Sequence, residues 1–174
     1  MIWSADNLRA VMPFCTGKAD LFVDPINVAF TEFGITTNTR QAAFIAQIAQ
    51  ESGELRHLLE LADGTAYEGR SDLGNTQPGD GSRYKGRGLL QITGRANYMA
   101  CGTGLGLDLV GNPSLLETPG PAARAAAWWW QKHGLNTLAD LDHFGAITAT
   151  INGSYKTVDQ RIPYWLKARR VVGL

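Results

Sequence analysis

Apolar residues recur along this chain at helical spacing, with little of the alternation that marks strands. Leu8, Val11 and Met12 follow Ser4, which can cap a short helix. Ile26, Phe30 and Phe33 make a second stripe. Asp24-Pro25 reads as a cap and first-turn proline for it, and Gly34 as its stop. Asn38, with Gln41 three residues on, reads as a variant capping box for a third helix. Pro121 opens and Gly134 closes an alanine-rich helix carrying Trp128, Trp129 and Trp130. Consecutive positions point around a helix, so one or two of these rings belong to the core. Asp142 can cap a helix with Phe144, Ile147 and Ile151, ending at Asn152-Gly153. A last helix begins near Asp159, and Pro163 fits it only in or next to the first turn.

The stretch from about Ala62 to Gly88 breaks this pattern with a run of glycines. So many glycines predict a long ordered loop, with a small hairpin turning at Asp80-Gly81. Long loops inside compact domains are commonly functional, and this one reads as a cleft wall. Beyond it, Gln91, Thr93, Arg95 and Asn97 alternate with Ile92, Gly94 and Ala96. That predicts an extended stretch with amide and hydroxyl groups on one side, as a sugar-binding wall needs.

The third helix carries the informative exception. Phe44, Ile48 and Leu55 share its apolar face, and Glu51 falls on the same face. A carboxyl group among apolar side chains keeps its proton more readily and can pass it to a leaving group. Ser52-Gly53 follows, as suits a helix end opening into a loop. Glu54, Glu60 and Glu68 lie close behind. Cleavage of a glycosidic bond needs one carboxyl as acid and another as base or nucleophile, so this cluster suits that chemistry.

Composition narrows the alternatives. The chain has 174 residues, 44% hydrophobic and 18% charged, with 16 basic and 16 acidic side chains. This predicts one domain over 1–174 with a real core, no nucleic-acid partner and no stable membrane association. The N-terminal segment, interrupted by Asp6 and Arg9, does not read as an export signal. Cys15 and Cys101 read as buried thiols, with a disulfide as the alternative. His57, His133 and His143 are scattered without metal-ligand spacing, and no serine sits in a nucleophile elbow. No metal or organic cofactor is therefore expected. Tyr84, Tyr98, Tyr155 and Trp165 are candidates for stacking on sugar rings, with core packing the simpler role for each.

Several ordered motifs together resemble the family 19 glycoside hydrolases of the lysozyme-like superfamily, especially small phage endolysins and their bacterial relatives. The segments are Ala42 to Gly53, Tyr67 to Gly81, Tyr84 to Tyr98, Leu107 to Pro113, the tryptophan helix and Thr150 to Gly153. The likeness runs from about residue 20 to the end. It differs at Gln50, where many relatives have histidine, and at Ser154-Tyr155, where glycine is frequent.

The resemblance implies a mainly α, α+β lysozyme-like fold: two helical lobes around a cleft, with a small irregular β element. It implies Glu51 as general acid and Glu60 as the second carboxylate, with Glu68 in reserve. Thr93 matches the hydroxyl that helps hold the attacking water. Gln91, Asn97 and Asn152 match sugar-binding positions. Arg161 joins them as a basic residue that supports the carboxylates. The implied activity is inverting hydrolysis of β-1,4 bonds between amino sugars of peptidoglycan, by a monomer. As an endolysin, it would be made in a host cytoplasm and reach the wall after holin-type release. Chitin is the alternative substrate, and a non-catalytic glycan-binding module the alternative class.

Overall fold

The computed structural model describes residues 1–174, and it is mainly helical. The α-helices are α1 (Ala5–Val11), α2 (Lys18–Glu32), α3 (Asn38–Glu51), α4 (Asp80–Arg83), α5 (Arg95–Leu105), α6 (Pro119–Lys132), α7 (Leu135–Asp140), α8 (Phe144–Asn152) and α9 (Val158–Val172). Short 3-10 turns lie at Thr65–Tyr67, Ser71–Leu73, Pro113–Glu117 and Tyr155–Thr157. The β element is two isolated antiparallel bridges, Leu59 with Arg87 and Arg87 with Ile92. No helix is long and apolar enough to cross a membrane.

Helix α3 is the axis of the core. Every residue from Gln41 to Ala49 is buried, so the helix is enclosed on all sides and not on one stripe alone. Ala42, Ala43, Ala46 and Ala49 let neighbouring backbones approach closely, while Phe44, Ile45 and Ile48 fill the space between them. Phe44 meets Phe30 of α2 edge-on at 5.5 Å and Trp130 of α6 at 5.3 Å. Helix α9 packs along α3, and α2 packs along α6. Arg124 of α6 adds a paired contact to Glu32 of α2 at 2.7 Å. Loop residues 52–94 and α5 make the smaller lobe, which docks on α6.

Several local expectations shift. Thr37, not Asn38, caps α3, with its hydroxyl accepting from the Arg40 amide at 3.3 Å. Gln41 is then free to turn into the core, where it accepts from the Trp3 indole at 3.2 Å. Helix α2 starts seven residues before Pro25 and runs through it. Packing of Phe22, Ile26 and Phe30 on one face outweighs the missing amide of Pro25. Helix α6 starts at Pro119, α7 was not expected, and Asp142 does not cap α8 but meets Arg169 at 2.7 Å. Pro163 lies in the second turn of α9.

The glycine-rich segment is ordered without a hairpin. Asp80-Gly81 begins the helical turn α4 instead. Asp80, 1% exposed, accepts from Arg95 at 2.5 Å and from the Gln77 amide at 3.0 Å. Buried Asn75 bonds the Arg95 amide at 2.8 Å and the Tyr67 carbonyl at 2.9 Å. A buried carboxylate with that many donors favours a compact turn over an open strand pair.

Candidate functional site

Glu51 is the last residue of α3. Ser52 caps that end, donating to the Ile48 carbonyl at 2.6 Å and accepting from the Leu55 amide at 2.8 Å. Gly53, Glu54 and Leu55 then adopt left-handed backbone at φ 54°, 63° and 66°. Two of the three are not glycine, so the reversal is strained and must be held from outside. Glu54 does this: its carboxylate, on a residue 4% exposed, takes the Phe14 amide at 2.5 Å and the Tyr164 hydroxyl at 2.9 Å. Burial, with Glu54 beside it, raises the Tyr164 hydroxyl above the ordinary phenol range.

The surroundings of Glu51 differ from the sequence expectation. Its Oε1 does not lie among apolar walls; it lies 2.5 Å from Nη2 of Arg161. Arg161 is 2% exposed, so its guanidinium is buried beside the carboxylate. Its place beside Glu51 fits support of a carboxylate and not contact with sugar. Oε1 is buried and lacks an aligned hydrogen bond despite this proximity. The Glu51 side chain nevertheless keeps 21% of its exposure, which leaves Oε2 as the oxygen able to face a ligand.

Glu60 follows bridged Leu59 in the segment after α3. Its backbone amide donates to the Gly86 carbonyl at 2.9 Å, and its Oε2 accepts from the Gly86 amide at 2.9 Å. Oε1 accepts from the Tyr67 hydroxyl at 2.9 Å. The bond to Glu60 raises the Tyr67 phenol above its usual range. Glu68 is held elsewhere: its oxygens take the amides of Gly79 at 2.7 Å and Gly81 at 2.8 Å. That clamp closes the loop on itself and leaves Glu60 as the carboxylate next to the bridges.

Gly86 ties Glu60 to the next segment. A Cβ there would fall 2.7 Å from Oε1 of Gln91 and 3.1 Å from Oε2 of Glu60, so both polar ends converge over the missing side chain. Gln91, Thr93 and Asn97 line one cavity of about 190 Å³ with Leu90, Trp129 and Ile151. The path between them is not extended. Gly94, at φ 91°, breaks it, and α5 begins at Arg95. Asn97 reaches back to the Thr93 carbonyl at 2.7 Å, and Thr93 donates to the Gln91 carbonyl at 3.0 Å. Arg95 points away, toward Asp80.

Glu60 lines a separate, open depression of about 470 Å³, while Glu51 and Asn152 line neither. Asn152 is exposed at the end of α8, one residue from the cavity wall at Ile151. The largest cavity, about 710 Å³, lies away from all of these, between the N-terminus and α2. No cluster of three or more potential metal ligands occurs. Cys15 and Cys101 are unpaired and buried; burial pushes the Cys101 thiol up to about 12, so it is a poor nucleophile.

Residues 14–139 match the Glyco_hydro_19 family model, described as Chitinase class I. The chain belongs to glycoside hydrolase family 19. An endochitinase of Arabidopsis thaliana is 36% identical over 149 residues, covering 81% of this family 19 chain and 50% of the relative. A family 19 domain-containing protein of Haemophilus influenzae is 36% identical over 107 residues, covering 59% and 49% respectively. The family 19 chain thus spans about half the length of the curated relatives it matches. Among solved structures, a bacterial family 19 chitinase superposes with TM-score 0.79 at 23% identity, covering 100% of this chain and 96% of its own. Chitinase C from Streptomyces griseus gives TM-score 0.77 at 24% identity, covering 99% and 77%. At such identities the structural likeness is one of fold, and it agrees with the lysozyme-like, mainly helical expectation.

Within the family 19 chain, two contributors were not marked by the sequence pattern. Tyr67 was visible only as part of a motif, and nothing in its spacing marks it as the partner of Glu60. Trp129 was one of three adjacent rings; it lines the Gln91 cavity and stacks on His133 at 3.7 Å. Tyr84 and Tyr98 are 1% and 0% exposed and belong to the core. Trp165 stacks on Phe144 at 4.5 Å, with Arg169 5.0 Å from its ring, so core packing takes up one face. Tyr155 alone of these rings is exposed.

Proposed function

We propose that this family 19 domain hydrolyses β-1,4 bonds between N-acetylated amino sugars, with Glu51 as acid and Glu60 as base. The observation that carries the reading is a pair of separately held carboxylates close in sequence. Glu51 leaves Oε2 free at the end of a buried helix, and Glu60 is fixed by two donors on the loop that follows it. In this reading Glu51 protonates the departing oxygen from Oε2. Glu60 draws a proton from water, and Thr93 helps place that water. Attack from the far side inverts the anomeric carbon, which needs about 6.5–9.5 Å between the carboxyl groups. Gln91, Asn97 and Asn152 take the sugar's polar groups.

Bacterial peptidoglycan is the proposed substrate, on the resemblance of the motifs to small phage endolysins. Synthesis in a host cytoplasm and release to the wall belong to that same proposal, as does action as a monomer. Chitin is the second reading, supported by relatives named endochitinase. Purified peptidoglycan and chitin oligomers, assayed side by side with Glu51→Gln as control, separate the two. Release of reducing ends from peptidoglycan by the wild type supports the first reading; release from chitin alone moves the assignment to chitinase. A Glu51→Gln variant as active as the wild type sinks both.

A further inference from the structure

Three buried polar side chains run in a line to Glu51. Thr148 of α8 and Gln47 of α3 are 0% exposed, and Arg161 of α9 is 2% exposed. Gln47 Nε2 donates to the Thr148 hydroxyl at 2.8 Å. Arg161 Nη1 donates to Gln47 Oε1 at 2.7 Å, and Nη2 faces Glu51 at 2.5 Å. Gln47 lies one helical turn before Glu51, so both side chains leave the same face of α3.

The direction of this line is forced. A guanidinium only donates, so Gln47 must turn its oxygen toward Arg161. Its amide hydrogens then point the other way and need an acceptor, which Thr148 supplies. The aligned bonds are those at Gln47; the Arg161 contact with Glu51 is close but not aligned as a hydrogen bond, and those with Thr157 are long at 3.4 Å. Gln47 therefore sets where the guanidinium sits, and the guanidinium sets which Glu51 oxygen is held inward.

We propose that Gln47 and Thr148 are positioning residues for Glu51, acting through Arg161 to pin Oε1 and leave Oε2 for the reaction. This rests on the reading of Glu51 as the acid, so Glu51→Gln belongs in the same experiment. The test is steady-state kinetics on whichever glycan the wild type cleaves, with thermal unfolding of each variant. Thr148→Val keeps the shape and removes the acceptor; it lowers kcat by about ten-fold or more with KM within about two-fold, because a small misplacement of a reacting group is costly. Thr148→Ser keeps the hydroxyl and holds kcat within about two-fold, since the bond survives. Gln47→Met behaves like Thr148→Val, and if it does not fold, the near-isosteric Thr148→Val decides alone.

A folded Thr148→Val with normal kcat overturns the proposal. So does equal loss in Thr148→Ser and Thr148→Val, which would make the site one of packing, and so does a loss confined to KM. An active Glu51→Gln overturns the catalytic reading itself. An inactive Glu51→Gln beside an active Thr148→Val overturns only the relay.

Discussion

Glu51 and Glu60 flank one left-handed turn, yet they are held by opposite means. Glu51 ends a helix enclosed in the core and meets a charged side chain from α9, far away in sequence. Glu60 lies in a segment with two isolated bridges and is held by a nearby backbone amide and a phenol. The position of the first therefore depends on the packing of α3, α8 and α9. The position of the second depends on the loop from Tyr67 to Gly86 keeping its shape. Damage to the loop and damage to the helix core should thus reach activity by separate routes.

The largest expected effect on the loop side is Glu60→Gln. It keeps the shape and removes the base, and should lower kcat by about 100-fold or more while leaving thermal stability near that of the wild type. Loss of less than a few-fold would contradict Glu60 as the base.

Next comes Asp80→Asn, which strikes the loop's buried anchor. Asp80 is buried while Arg95 keeps 24% of its side-chain exposure, so losing the charge weakens a half-screened contact and the buried carboxyl's hydrogen bonds; chemical denaturation should show a loss of about 1–3 kcal/mol. The hydrogen-bonded Arg95 guanidinium holds the Asp80 carboxyl below the ordinary carboxylate range, which starts near 3.8. A depressed folded-state pKa gives stability that is present above 3.8 and is lost as pH falls through the lower folded value. The wild type should therefore weaken on acidification below that point, and the Asn variant should show a flatter profile. Parallel profiles would mean that the Asp80–Arg95 pair does not hold the loop.

Gly86→Ala tests the convergence of Glu60 and Gln91. The new methyl group meets the flexible end of Gln91 first, so the fold should survive. A loss in kcat/KM of about ten-fold is expected from displaced polar groups. Tyr67→Phe is milder, because it removes one of two donors to Glu60; a few-fold fall in kcat is expected from loss of a charge-assisted hydrogen bond. If both variants match the wild type on the cleaved glycan, the loop does not orient Glu60.

The two regions were also unequally legible in the sequence. Ser4 capped α1 as expected, because a cap is a local contact; its hydroxyl accepts from the Asn7 amide. The end of α3 was legible too, since Ser52-Gly53 breaks a long helical pattern. What holds Glu51 was legible only through the family resemblance, which pointed to Arg161; no local spacing encodes that contact, because it arrives through tertiary packing. The alternation of Gln91, Thr93, Arg95 and Asn97 predicted a wall of polar groups. Three of the four share a cavity, but Gly94 turns the chain into a helix, and buried Asp80 draws Arg95 away. Pro25 misled for a related reason: a proline suggests a boundary, and the buried face of α2 overrode it. The partners of Glu60 and Glu68 were not legible either, because the amides and phenol that hold them come from residues up to 26 positions away.

The most direct test of two opposed carboxyl groups acting on one bond is the configuration of the first product. Proton NMR early in the cleavage of a β-linked oligomer should show the new reducing end as the α-anomer before mutarotation. A first product in the β configuration would place the second carboxylate as a nucleophile and contradict the account.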